Sequence, residues 1–218
     1  MKTNAPVPSA AATERSALLA QLQKEEIDLR DHLERVAQMR RGLGPGPVIG
    51  ADYRLSDAND RKVHLSQLFG AKDELIVYHF MYAPDDNEPC PMCNMWADGL
   101  DAVEPHVSDR ATIVLIGKAR IAKLNAWARQ RHWRHIRVFS SFGTTFNADF
   151  GAEDASGDQL PGVSVFTRDA DGKVRHFYTK HAEIAPNVNR GIDQLTPAWN
   201  LFDLLPSGRE DWYPKISY

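Results

Sequence analysis

One apolar run, Leu75 to Tyr82, limits most strongly what this chain can fold into. Its residues, Leu-Ile-Val-Tyr-His-Phe-Met-Tyr, are apolar at almost every position. Strands in the middle of a parallel sheet have this composition because helices cover both of their faces. The run therefore predicts a central strand of an α/β sheet, and the loop-forming residues Pro84 to Pro89 follow it.

Helical patterns and short apolar runs alternate through the rest of the chain. Two short strands are predicted ahead of the central strand, over Tyr53 to Leu55 and Val63 to Leu65. The later predicted elements are a helix at Asn94 to Val107, a strand at Ala111 to Gly117, a helix at Ile121 to Trp133, a strand at Ile136 to Phe139, a β-hairpin of Val163 to Thr167 and Lys173 to Tyr178, and a helix from Thr196 to about Leu205. This order predicts a mixed central sheet flanked by helices.

The chain divides by composition into three parts. Residues 1–12 are rich in small residues and proline, and we predict that they are disordered. Residues 13–47 contain an amphipathic N-terminal helix followed by a Gly/Pro linker. Residues 48–218 form the α/β domain. The apolar stripe of the long helix can pack on its own domain or on a second subunit, so a homodimer is plausible.

Charge and hydropathy exclude several kinds of partner. The net charge of −3 and the pI near 6.2 offer no broad basic surface for nucleic acid. We find no apolar run of about eighteen residues, so no membrane span is expected. The N-terminus lacks the basic and then apolar layout of a signal peptide, and we expect a cytoplasmic location.

Cys90 and Cys93 are the two cysteines of the chain, in the sequence Cys-Pro-Met-Cys. They lie where the predicted strand gives way to the predicted helix, which is the layout of a dithiol redox site. In a reducing cytosol such a pair is not expected to be a structural staple. Because a helix N-terminus favours a negative charge, Cys90 is the candidate nucleophile, and the deeper Cys93 is the candidate resolving thiol.

Other interpretations of these cysteines stay open. Both could be ordinary buried core residues. Four zinc ligands are not available from one cysteine pair, and no metal or cofactor is assigned. The soft sulfur atoms of Met92 and Met95, together with His79 or His181, leave a Cu(I)-binding carrier as an alternative. His79 lies in the central strand just before the cysteines, and we predict a catalytic role for it.

Three segments resemble a bacterial thioredoxin-like family. They are Tyr78 to Tyr82, the run from Cys90 to Asp101 that includes Trp-Ala-Asp-Gly, and Pro161 to Phe166. The ending Asp203 to Arg209 fits the same pattern. The family is known as domain of unknown function 899 and contains predicted dithiol–disulfide oxidoreductases. The resemblance extends from about Thr13 to the end of the chain.

The resemblance implies a thioredoxin fold preceded by a peroxiredoxin-like strand and turn extension. Pro161 falls where that fold places a cis-proline, facing the cysteines and the substrate. His79 falls near the place of a buried acid that takes a proton from the resolving cysteine. Pro91, Met92 and Trp96 are further candidate substrate contacts. The loop Pro84 to Pro89 departs from thioredoxin, and so does Pro89 itself, which stands where a tryptophan commonly precedes the first cysteine.

The function predicted from these observations is thiol–disulfide exchange. Cys90 attacks, Cys93 resolves, and the partner is a protein or small-molecule thiol or disulfide. The sequence specifies neither the recycling reductant nor the direction of electron flow. A thiol peroxidase of peroxiredoxin-like type is the alternative enzyme, although the Pro and Thr that usually precede a peroxidatic cysteine are absent.

Overall fold

The computed structural model describes residues 10–183, 185 and 190–218, which fall into two units. The first unit extends to Gly44 and the second begins at Pro45. Within the described residues, no helix combines the length and the apolar character that crossing a bilayer requires.

The first unit contains one long helix, α1, at Ala10–Arg41. Residues 1–9 of the segment predicted to be disordered lie outside the described residues, and the helix begins three residues before the predicted start at Thr13. Leu18, Leu22 and Leu29 of the predicted stripe are exposed. A homodimer formed through this helix stays a prediction.

The second unit is organised on one mixed sheet. The strands found in the described part of the chain are β1 (Arg54–Ser56), β2 (Lys62–His64), β3 (Glu74–Phe80), β4 (Thr112–Gly117), β5 (Arg137–Ser140), β6 (Gly162–Arg168) and β7 (Val174–His181). Their order in the sheet is β2-β1-β5-β4-β3-β6-β7. Strands β3, β4 and β5 are parallel neighbours, whereas β6, β7, β1 and β2 pair antiparallel.

Two helices connect the parallel strands, and two shorter helices follow later in the chain. They are α2 (Pro91–Val107), α3 (Ile121–Gln130), the short α4 (Phe146–Asp149) and α5 (Pro197–Phe202), with 3₁₀ turns at Leu65–Gln67 and Asp193–Leu195. Pro91 occupies the first position of α2, where the missing N–H of proline costs no hydrogen bond. Helix α3 ends before the predicted Trp133, because His132 has a left-handed φ of 60° that terminates it.

Two apolar cores lie on the opposite faces of the sheet. Tyr78 and Phe80 pack with Trp96 of α2 in one core, whereas Leu75 and Val77 pack with other residues in the second. Successive side chains of a strand point to opposite faces, so β3 contributes to both cores. This arrangement explains why the run from Leu75 is apolar at nearly every position, as predicted.

The predicted thioredoxin-like α/β fold is confirmed. The order β3-α2-β4-α3-β5 makes the parallel half of the sheet, and the β6–β7 hairpin joins it antiparallel beside β3. The β1–β2 hairpin is the predicted extension ahead of the fold, and it joins the sheet where Ser56 pairs with Ser140 of β5. The first residue of α2 directly follows Cys90, so the fold places the cysteine pair at a helix N-terminus.

Candidate active site

The two cysteines lie at the start of α2, just beyond the end of β3. Cys90 is the N-cap residue of the helix, is half-buried, and donates its backbone N–H to the carbonyl oxygen of Met81 at 3.2 Å. Cys93 lies one turn further and is 2% exposed. Both are free thiols. One sulfur is therefore accessible and the other is buried behind it, which is the arrangement that the sequence predicts.

The surroundings of Cys90 favour its thiolate. The thiol of Cys93 donates a hydrogen bond to it, as do the backbone amides of Cys93 and Met92 and the hydroxyl of Tyr213. Partial burial opposes ionisation, but the donors prevail and lower the pKa of Cys90 to about 6. A thiolate is thus present at neutral pH, and the thiolate is the nucleophilic form of cysteine.

Cys93 has the opposite character. Its hydrogen bond to Cys90 and its burial raise its pKa well above the ordinary thiol value. The hydroxyl of Tyr78, on β3, hydrogen-bonds to Cys93 and partly offsets this rise. The pair therefore holds one thiolate and one thiol, and the proton resides on Cys93.

Tyr213 is a site residue that the sequence does not reveal. It belongs to the segment after α5, more than one hundred positions from Cys90 along the chain. A partly buried contact holds this segment: the Arg131 guanidinium donates to the carbonyl oxygen of Ile216 at 2.9 Å. No local pattern around Tyr213 marks it, because its role depends on where the segment crosses the fold.

The Trp-Ala-Asp-Gly segment of α2 supports the site from within. The indole of Trp96 stacks on the ring of Tyr78 with centroids 6.5 Å apart, which fixes the phenol beside Cys93. Asp98 forms an ion pair with Arg131 and accepts the indole N–H of Trp133 at 2.8 Å. Asp98 therefore orients the arginine that secures the C-terminal segment.

A pocket of about 310 Å³ opens beside the cysteine pair. Three of the predicted substrate contacts, Met92, Trp96 and Pro161, line it together with both cysteines. Pro91, the fourth, is partly buried at the start of α2 and is not part of the pocket lining. The structure thus gathers most of the predicted contacts around Cys90.

The prediction of a cis-proline at Pro161 is wrong. The described residues contain no cis peptide bond. In the trans form the carbonyl oxygen of Pro161 accepts the backbone N–H of Ala182 at 3.2 Å, which extends the β6–β7 ladder by one pair. The trans isomer found here is also the intrinsically favoured one.

His79 is not brought to the cysteines. It follows Tyr78 on β3, so its side chain lies on the opposite face of the sheet, where it contacts Phe146 at 5.6 Å between ring centroids. Its Nε2 is 2.7 Å from the Ser164 hydroxyl, and that hydroxyl is 2.8 Å from Thr179. Burial above all, then nearby histidines, lowers its pKa to about 3, so His79 is neutral.

The residues considered for metal binding are brought together only in part. Met92 and Cys90 share the pocket walls, and His181 lies with them on an adjoining groove. His79 lies across the sheet. Among the described residues, we find no group of three or more His, Cys, Asp or Glu side chains that could hold a metal ion.

Residues 3–217 match a family described as bacterial protein of unknown function (DUF899). The chain belongs to this family. The match covers nearly the whole sequence and includes both cysteines, and it confirms the resemblance seen in the sequence. A comparison with curated proteins gives no match.

Solved structures with a similar fold include redox proteins of several organisms. Peroxidoxin BcpB from Mycobacterium tuberculosis is 22% identical over 69% of this chain and 92% of its own, with a TM-score of 0.49. PrxQ from Xylella fastidiosa is 13% identical over 70% and 94%, with a TM-score of 0.48. The exposed lipoprotein thioredoxin Etrx1 from Streptococcus pneumoniae is 14% identical over 66% and 98%, with a TM-score of 0.44. At these identities the similarity concerns the fold alone.

Proposed function

We propose that this protein is a thiol–disulfide oxidoreductase in which Cys90 is the nucleophile and Cys93 is the resolving thiol. The observation that carries the proposal is the division of roles in the pair. Cys90 receives four hydrogen bonds at a helix N-terminus, which lower its pKa to about 6, and Cys93 is buried with a raised pKa. Dithiol exchange needs one such thiolate and one protonated partner within bonding reach.

The reaction consists of two displacements. In the first, the Cys90 thiolate attacks one sulfur of a disulfide, the substrate S–S bond breaks, and one substrate sulfur leaves as a thiolate that takes up a proton. In the second, Cys93 gives up its proton and attacks the Cys90 sulfur, which releases the other substrate thiol. The protein ends with a Cys90–Cys93 disulfide, and the substrate has gained two electrons. An external dithiol restores the reduced pair.

The surroundings of Cys93 explain how the second step becomes feasible. The raised pKa of Cys93 comes first from its hydrogen bond to Cys90 and also from the charge on Cys90. Both vanish when Cys90 is bound in a mixed disulfide, so Cys93 then ionises more readily. The Tyr78 hydroxyl remains and stabilises the developing thiolate. We assign to Tyr78 the place beside the resolving cysteine that the family resemblance implies for His79.

Two cysteine variants test the proposal. Cys90→Ser should abolish reduction of hydroxyethyl disulfide by the protein, with dithiothreitol as the recycling dithiol. Cys93→Ser, pre-reduced and then mixed with hydroxyethyl disulfide in the absence of dithiothreitol, should instead accumulate a mixed disulfide on Cys90, visible as a mass increase of one substrate half. Full disulfide-reductase activity in the Cys90→Ser protein would refute the proposal.

The Cys90 thiolate also suits attack on a peroxide, which keeps a thiol peroxidase as the second candidate. Stopped-flow mixing with a few equivalents of hydrogen peroxide separates the two functions. A dithiol reductase should consume peroxide slowly, and a peroxidase should consume it rapidly in a Cys90-dependent manner. A Cu(I) carrier, a homodimer and a cytoplasmic location stay predictions.

A further inference from the structure

The sheet has an edge strand that ends beside the cysteines. Strand β7 is the last strand of the described sheet on the β6 side. Part of its outer edge is covered: the Ile49 backbone N–H donates to the carbonyl oxygen of Val174, and the His176 N–H donates to that of Pro47, both at 3.0 Å. These two bonds lie in the first half of the strand, away from the cysteine end. The edge of β7 thus already pairs with one extended segment there.

The second half of β7 directs backbone groups outward. Ala182, which directly follows the strand, donates its N–H inward to the carbonyl oxygen of Pro161 at 3.2 Å. Residues of an antiparallel ladder alternate between bonding to the partner strand and facing away from it. By this alternation, and with the register given for β6 and β7, the backbones of Thr179 and His181 face outward. Within the described part of the chain, neither backbone has a hydrogen-bond partner on that outer side.

A groove leads from this edge to the reactive sulfur. It has a volume of about 810 Å³ and is lined by His181 and Ala182, by Pro161 and by Cys90. A strand added to β7 would lie three strand spacings from β3, which is about 14 Å. Cys90 bonds to Met81 just beyond β3, so a chain bound on the edge crosses about this distance to reach its sulfur. An extended chain covers about 3.3–3.6 Å per residue, so the crossing takes about four residues.

The direction of β7 orients an added strand. β6 is antiparallel to both β3 and β7, so β7 runs parallel to β3 and ends at the cysteine end of the sheet. The segment that covers its first half pairs antiparallel, through Val48 and Arg175, and antiparallel pairing is the more stable kind. A chain that pairs antiparallel with β7 begins at the cysteine end. A half-cystine that reaches Cys90 therefore precedes the paired residues in the sequence of that chain.

We propose that the substrate is a polypeptide disulfide that binds by adding a short antiparallel strand to the outer edge of β7. This inference rests on the proposed function and names its substrate class and docking surface. Main-chain hydrogen bonds to Thr179 and His181 supply the affinity, as they do wherever an extended peptide adds to a sheet edge. The half-cystine lies in the groove, about four residues before the paired segment.

The exchange then follows the two displacements already described. The Cys90 thiolate attacks the half-cystine sulfur, a new S–S bond forms, and the substrate S–S bond breaks. The other substrate half leaves as a thiolate and takes up a proton. Cys93 displaces the bound polypeptide as a thiol, and an external dithiol reduces the Cys90–Cys93 disulfide.

Four synthetic peptides test the docking surface. Each carries one cysteine as a mixed disulfide with 2-nitro-5-thiobenzoate, whose release as a coloured thiolate reports attack on the peptide sulfur. The first peptide has its cysteine at the N-terminus, then about four Gly/Ser residues, then a short Thr/Val segment. The second has the reverse order, the third carries N-methyl groups on the segment amides, and the fourth lacks the segment. Each stopped-flow rate constant with the reduced protein is divided by that of dithiothreitol with the same peptide.

We expect the normalised rate of the first peptide to be at least about tenfold higher than that of the fourth, and tenfold corresponds to about 1.4 kcal/mol. The reversed and N-methylated peptides should react at about the rate of the fourth, because they cannot form the added strand. His181→Pro removes one outward N–H and should lower the ratio of the first to the fourth peptide. Ala170→Pro is the matched control and should leave this ratio unchanged, since Ala170 is exposed at the first central position of the β6–β7 turn, where proline fits.

Equal normalised rates for all four peptides, or a faster reversed peptide, would overturn the inference and leave the proposed function standing if reduction still depends on Cys90. If neither the peptides nor hydroxyethyl disulfide is reduced through Cys90, both the proposed function and the inference are overturned. An advantage of the first peptide that disappears as the protein concentration rises, with a dimer in sedimentation velocity, would assign the edge to a second copy and also overturn the inference. Should His181→Pro fail to fold, the N-methylated peptide with the wild-type protein decides.

Discussion

The hydrogen bond from Tyr213 to Cys90 gives a prediction with a definite size. Tyr213→Phe removes the hydroxyl donor and retains the ring, so the pKa of Cys90 should rise from its lowered value near 6. A hydrogen bond to a charged group contributes about 1.5–3 kcal/mol when water is excluded. Tyr213 is 56% exposed, so water replaces part of the lost bond. We take about 1 kcal/mol, which is roughly 0.7 of a pKa unit.

The assay is the rate of Cys90 alkylation by iodoacetamide as a function of pH, measured on the reduced protein. Tyr218→Phe serves as the matched control, because Tyr218 lies in the same segment and its hydroxyl oxygen accepts the Lys215 amide at 3.2 Å. An unchanged midpoint in Tyr213→Phe, or an equal shift in Tyr218→Phe, would show that the Tyr213 hydroxyl does not stabilise the thiolate.

Two further predictions concern reactivity and stability. In the wild-type protein, the rate of Cys90 alkylation should increase as the pH rises through about 6 and then level off, because the thiolate forms above the pKa. A midpoint near the ordinary thiol pKa of about 8.5 would contradict the site geometry. Asp101 accepts the backbone amides of Arg134, His135 and Ile136 at 2.8–2.9 Å. Asp101→Ala should therefore lower the free energy of unfolding by about 1–3 kcal/mol in urea titration, and the exposed Asp109→Ala should change it little.

The part of the fold nearest the cysteines follows directly from the sequence. The apolar run is followed by a Pro-rich loop and then by a helical pattern. This order predicts a central strand, a turn and a helix whose N-terminus carries the positive end of the helix dipole. The structure has these elements in the predicted order, with ends that differ by a few residues. The helix start lies at Pro91 instead of Asn94, since the cysteines form its first turn.

The partners of the cysteines were harder to predict. Because helices cover both faces of β3, its run of apolar residues shows no alternation that would assign a face to each position. The pattern therefore does not show which of the two side chains, Tyr78 or His79, faces the cysteines. The structure places Tyr78 beside Cys93. The peptide isomer at Pro161 depends on contacts between segments far apart in sequence, and so does the position of Tyr213 beside Cys90. A local sequence motif does not contain this information.

The contact between Tyr213 and Cys90 links oxidation to the order of the C-terminal segment. The Tyr213 hydroxyl favours the charged sulfur, and thermodynamic linkage requires that the charged sulfur favour the docked segment by an equal amount. A Cys90–Cys93 disulfide carries no such charge, so the oxidised protein holds the segment less tightly. This segment is also held through Arg131, which pairs with Asp98. Its affinity for the rest of the fold is therefore higher when the cysteine pair is reduced than when it is oxidised.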